Sequence, residues 1–127
     1  MLGYFMVGTR DLNSATRFYD TVLAPLGLIR DVTEDSYVGY SAKNAPENPE
    51  FWVTEPYDKQ PATAGNGTMI ALVAESRELV DEFHVTGIAS GGVDEGKPGP
   101  RPADGSIYYA YIRDLDGNKI CAFCDKI

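Results

Sequence analysis

Apolar residues along the chain change spacing twice, from alternation to threes and fours, and each change marks a strand followed by a helix. Tyr4-Phe5-Met6-Val7 opens a strand that leads to Asp11, whose carboxylate suits the free N–H groups at a helix start. Leu12, Ala15, Phe18, Tyr19, Val22, Leu23 and Leu26 then line one helical face, and Pro25 with Gly27 closes it. The same order returns later. Met69 to Val73 forms a strand, Ser76 caps a helix, Leu79, Val80, Phe83 and Ile88 share its face, and Gly91-Gly92 ends it. A shift of 65 residues lays Phe18 on Phe83, Tyr19 on His84 and Gly27 on Gly92. The chain reads as one unit written twice.

Each helix is followed by alternating patterns. In the first half these are Leu28 to Val32, Tyr37 to Tyr40 and Phe51 to Thr54; in the second, Tyr108 to Arg113 and Lys119 to Cys124, with a weaker strand near Gly92-Val93-Asp94. Asp116-Gly117 between the last two is a hairpin signal. Residues 56–66, rich in Pro, Gly, Ala and Thr, read as a linker. Gly96 to Ser106, rich in Pro and Gly, reads as a loop long enough to cover a site. The expectation is one α+β domain of two βαβββ modules, the first spanning about 1–55 and the second about 67–127.

Length agrees with this, since 127 residues support one core and not two independent ones. A hydrophobic fraction of 43% excludes a disordered chain. No apolar run reaches the roughly 20 residues of a membrane span, and the first residues read as a strand rather than a signal peptide, so a cytoplasmic address is expected. The net charge of -8 argues against nucleic acid and anionic membrane as partners and permits a cationic ligand.

Chemistry-bearing residues are few. Cys121 and Cys124 form a lone C-x-x-C; zinc needs a second pair or several histidines, and the chain has one histidine. Both lie in a strand pattern, which turns residues three apart to opposite faces, so they read as buried thiols. Asp114, Asp116 and Asn118 are spaced as in a calcium loop, but Gly117 comes fourth instead of sixth, and a turn explains them. His84, at the margin of the second helix's apolar stripe, reads as a packed or solvent-edge residue. Cys121 would act as a nucleophile only with a cation to lower its pKa; Lys119 is the candidate on its strand face, and an apolar setting would raise the pKa instead.

Two stretches carry a resemblance. RDLNSATRFYDTVLAPLGL (Arg10 to Leu28) is similar to V-x-D-L-x-x-S-x-x-F-Y-x-x-x-L-G-L, and YYAYIRDLDGNKI (Tyr108 to Ile120) to A-Y-x-x-D-P-D-G-N, with Leu115 in place of the proline. Both motifs belong to the vicinal oxygen chelate superfamily of glyoxalases, bleomycin-resistance proteins and extradiol dioxygenases, which the chain resembles over nearly its whole length. The resemblance implies a half-open β-barrel with helices on its outer face, and a divalent metal that chelates adjacent substrate oxygens. The metal-ligand positions of that family fall here on Tyr4, Trp52, Met69 and Cys121. A phenol, an indole, a thioether and a thiol do not suit a hard dication, so no metal or other cofactor is expected.

Strand alternation turns Tyr4, Met6, Met69, Ala71, Tyr109, Tyr111, Cys121 and Phe123 away from the helices, with Trp52 beside them. The expected ligand-binding cavity therefore comprises Tyr4, Trp52, Met69, Tyr109, Tyr111 and Cys121, suited to a small aromatic or cationic molecule. No catalytic residue emerges. The rival expectation is a glyoxalase-type lyase, isomerase or dioxygenase with an atypical metal site. A third is a non-catalytic partner protein kept for its dimer surface. The resemblance also implies a homodimer, formed side by side or by exchange of units.

Overall fold

The computed structural model describes residues 1–126; Ile127, counted above in the second module, lies outside the described residues. The first module holds β1 (Phe5–Gly8), α1 (Leu12–Val22), β2 (Leu28–Thr33), β3 (Tyr37–Ala42) and β4 (Phe51–Thr54). The second holds β5 (Met69–Val73), α2 (Arg77–Ala89), β6 (Val93–Pro100), β7 (Tyr108–Arg113) and β8 (Lys119–Cys124). Their sheets repeat one topology, β1-β4-β3-β2 and β5-β8-β7-β6. In each the first strand runs parallel to the last and the other pairs are antiparallel. The fold is α+β, with two curved sheets that do not close into a barrel.

Local chemistry explains the helix limits. Asp11 accepts a hydrogen bond from Ser14 N at 3.2 Å and caps α1. After α1 a short 3-10 turn, Ala24–Leu26, ends at Gly27, whose φ of 77° is the left-handed conformation glycine adopts without strain. Ser76 caps α2 through Leu79 N at 3.3 Å. No helix among the described residues is long and apolar enough to cross a membrane.

One expectation needs correction. Gly96 to Ser106 is not a continuous loop: its first half belongs to β6, which pairs with β7 as far as Pro100. The weaker strand expected near Gly92-Val93-Asp94 is its start, and glycine and proline hid its continuation to Pro100. As the last strand of its sheet, β6 needs N–H groups on one side only, so prolines are tolerated there. Register shifts at Asp94/Gly96 and Gly96/Gly99 bulge it further.

Alternation sorts each strand. Val7, Val38, Tyr40, Phe51 and Val53 of the first sheet join Ala110, Ile112, Ile120 and Ala122 of the second in a single buried cluster with Phe18, Tyr19, Val80 and Phe83 of the helices. The helices also pack on each other, so the helix-backed faces share one core. Asp114, 5% exposed, links the modules: Oδ2 accepts from the Tyr19 hydroxyl at 2.5 Å and from Asn118 Nδ2 at 2.9 Å, and Oδ1 from Asp116 N and Asn118 N. Asn118 Nδ2 also donates to the Gly8 carbonyl at 3.0 Å. Burial pushes the Tyr19 phenol well above its usual pKa, and the Asp114 charge adds to that.

Asp114→Ala strands several buried donors and is expected to cost about 3 kcal/mol of unfolding free energy by urea titration. Tyr19→Phe should cost about 1 to 2 kcal/mol. A loss below about 0.5 kcal/mol for Asp114→Ala would refute the role given to it.

Candidate functional site

The helix-free faces carry the residues singled out from the sequence, and they fall into two clusters. On the first sheet, register sets Met6 beside Trp52 and Trp52 beside Gly39. The indole lies over Gly39, where a Cβ would come within 2.7 Å of the ring. Tyr4 and Tyr37 meet Trp52 edge-on, at centroid distances of 6.2 and 5.7 Å. Tyr4 is 60%, Met6 50% and Tyr37 38% exposed. The Trp52 Nε1–H and the Ser41 hydroxyl are buried and have no hydrogen-bond partner among the described residues.

On the second sheet, three rows cross β5, β8 and β7: Met69, Lys119, Arg113; Ala71, Cys121, Tyr111; Val73, Phe123, Tyr109. Tyr109 stacks on Tyr111 at 5.9 Å with planes 8° apart, and on Phe123 at 5.9 Å. Arg101 and Lys119 lie over the Tyr111 ring, at 5.6 and 5.3 Å from its centroid. Cys121 is fully buried beneath this layer, and burial pushes its thiol pKa up to about 11, against the opposing pull of Lys119 and Arg101. Cys124 points the other way, into the core, and both cysteines are free.

The structure thus groups Tyr4 with Trp52, and Tyr109 and Tyr111 with Cys121, while Met69 stands exposed at the edge of the second cluster. Among the described residues no ring pair or side-chain hydrogen bond joins one cluster to the other. An open cleft of about 400 Å³ beside Thr9, Arg10, Glu55 and Lys59 includes none of the six. Tyr37, Gly39 and Arg101 were missed from sequence. The parity of Tyr37 with Gly39 was available as a signal, but nothing local to Arg101 announces that its guanidinium returns to Tyr111.

A divalent metal fits poorly. The donors at positions 4, 52, 69 and 121 are soft or neutral and divided between two sheets, and among the described residues no group of three or more His, Cys, Asp or Glu could hold an ion. His84 is 8% exposed, with Nε2 2.9 Å from Asp94 Oδ1 at the margin of α2, away from both clusters.

No protein-family model and no curated protein matches the chain. Solved structures do. A glyoxalase/bleomycin resistance protein from Albidiferax ferrireducens is 43% identical, with a TM-score of 0.82 over 94% of this chain and 93% of that one. A glyoxalase/bleomycin resistance protein/dioxygenase family enzyme from Burkholderia phytofirmans is 17% identical, with a TM-score of 0.72 over 98% of each chain. A lactoylglutathione lyase from Agrobacterium tumefaciens is 19% identical, with a TM-score of 0.67 over 98% of this chain and 92% of that one. The last two show likeness of fold alone.

Gly39→Ala forces the indole off its strand. Since Trp52 is the single tryptophan, its emission should shift to longer wavelength, with a stability loss of about 1 to 3 kcal/mol. An unchanged spectrum would contradict the packing described. Alkylation of Cys121 at pH 8, followed by mass spectrometry, should run about two orders of magnitude slower than for a free thiol, because so little thiolate is present. A rate equal to that of a free thiol would contradict its burial.

Proposed function

Since the chain belongs to the glyoxalase/bleomycin resistance protein family, we propose that it works without a metal and holds a small planar aromatic molecule against the helix-free faces of its sheets. The observation that carries this reading is the replacement of hard ligands at all four family positions by Tyr4, Trp52, Met69 and Cys121, each in or beside an aromatic cluster. Stacking area and phenolic hydroxyls can orient a flat ligand, whereas this donor set gives a hard cation nothing to grip.

Pairing of two copies is part of the same proposal. The free faces expose Tyr4 and Met6 on the first sheet and Met69 and Val73 on the second, apolar residues that a homodimer would cover. Free cysteines fit the reducing cytoplasm proposed as its location.

A thermal-shift screen of planar aromatic compounds tests the reading. At least one should raise Tm by several degrees at saturation, and Trp52→Ala should remove the effect. No stabilisation by any of them would reject it. Elemental analysis of protein purified without chelators separates the rival: stoichiometric Ni, Zn, Mn or Fe would replace this reading with a metal-dependent lyase or dioxygenase. Light scattering should give twice the monomer mass, and a monomer at all concentrations would remove the pairing.

A further inference from the structure

We propose that the ligand is a planar aromatic acid, whose carboxylate is received by Arg101 and Lys119 beside Tyr111. This rests on the reading above and adds the sign of the ligand's charge, opposite to the one the overall charge of -8 suggests.

Local arrangement outweighs the total. Charges farther than about 8 to 10 Å are screened at physiological salt, so a bound group feels its nearest neighbours most. Among the described residues several cations lack a carboxylate partner; what distinguishes Arg101 and Lys119 is that both lie over one ring. Both approach one ring, Tyr111, at 5.6 and 5.3 Å. Beside them Arg113 engages the Glu95 carboxylate at 2.6 Å, and Glu95 also lies in the field of Lys119, but the hydrogen bond it accepts comes from Arg113. Both cations act on the same buried Cys121 thiol, and among the described residues neither makes a salt bridge to a carboxylate. An anion there relieves their repulsion.

The guanidinium is also pre-positioned. Arg101 donates to the Gly99 carbonyl at 3.1 Å and to the Lys97 carbonyl at 2.7 Å, which leaves three of its five N–H groups unused among the described residues. Glycines make the room. A Cβ on Gly96 would stand 2.6 Å from Tyr111 Cδ2 and 3.3 Å from Arg101 Nη2, and one on Gly99 would stand 3.3 Å from Nη1. A fork-shaped cation fixed by backbone carbonyls, with spare donors, matches a carboxylate in geometry and loses little entropy on binding.

The first sheet supplies the contrast. Its helix-free positions on β1, β3 and β4, namely Met6, Tyr37, Gly39, Ser41, Trp52 and Thr54, carry no charge. One face offers rings alone and the other offers rings with two cations. The anionic group of a flat ring is therefore assigned to the second face.

Calorimetry with three compounds of one ring and different charge tests this: 2-naphthoate, 2-naphthamide and 2-naphthylmethylammonium. The acid should bind about tenfold or more tightly than the amide, and the ammonium more weakly than either. The acid's advantage should fall to about threefold or less in Lys119→Gln and in Arg101→Gln, return in Lys119→Arg, and survive in Lys43→Gln on the far side of the fold. Arg101 also braces its loop; if Arg101→Gln unfolds, Lys119→Gln carries the test, since Lys119 makes no side-chain hydrogen bond among the described residues. Amide or ammonium binding as tightly as the acid would overturn the anionic assignment and leave ring binding standing. An acid preference that survives both substitutions would also overturn it. Binding of none of the three would reject ring binding itself, and this inference with it.

Discussion

A single buried carboxylate organises the molecule. Asp114 follows β7 directly, and four donors converge on its two oxygens: two backbone N–H groups of the turn it opens, the Asn118 amide and the Tyr19 hydroxyl. In water each would be solvated separately; at 5% exposure they must satisfy one another or leave costly unpaired groups. The turn donors shape the β7–β8 hairpin, while Tyr19 ties that hairpin to α1 of the other module. Asn118, held by Asp114, passes the link to the Gly8 carbonyl, and Asp116 extends it to Arg10 at 3.1 Å. The modules are therefore locked at the point where β1 ends and α1 begins.

That lock decides which surfaces remain for binding. With Tyr19 drawn to Asp114, α1 lies against α2, and the helix-backed face of each sheet contributes to one core. Each strand then spends one set of alternate residues on stability, leaving the other set on the helix-free face. Phe51 and Val53 are fully buried while Trp52 between them is half-buried; Ile120 and Ala122 serve the core while Cys121 supports the tyrosine layer. Substitutions in the second set can therefore alter the site with little effect on the core. This separation makes it physically possible for the family's ligand positions to change while the fold persists.

Much of this was legible in the sequence, for reasons that differ by residue. Phe51 to Thr54, Tyr108 to Arg113 and Lys119 to Cys124 are strands with the bounds their alternation implied, because nothing in them competes with β structure. Asp11 and Ser76 were readable as caps because capping is a local bargain between a side chain and an N–H three residues on. The β6 strand was obscured by Gly and Pro, whose usual meaning is reversed at a bulged edge. Its misreading also hid Arg101, whose contact with Tyr111 depends on where that strand ends. The bond from Tyr19 to Asp114 spans 95 residues and has no local signature. The direction of the Cys121 shift followed from an apolar setting, but the second cation acting on it, Arg101, did not.

The substitutions at the four family positions are supported by their neighbours rather than standing alone. Trp52 fits because residue 39 is glycine, and Tyr111, the neighbour of Cys121 across the strands, fits because residue 96 is glycine; a Cβ at either place would strike the ring. Cys121 fits because a thiol is small and neutral enough to lie buried under tyrosines. A carboxylate at 121 would arrive in the same layer within the field of Lys119 and Arg101, the two cations that already act on the thiol. It would pair with them before it could serve a dication, since buried charges seek the nearest compensation. Restoring a hard ligand at one position would therefore not by itself assemble a metal site: the glycines, rings and cations around it would have to change together.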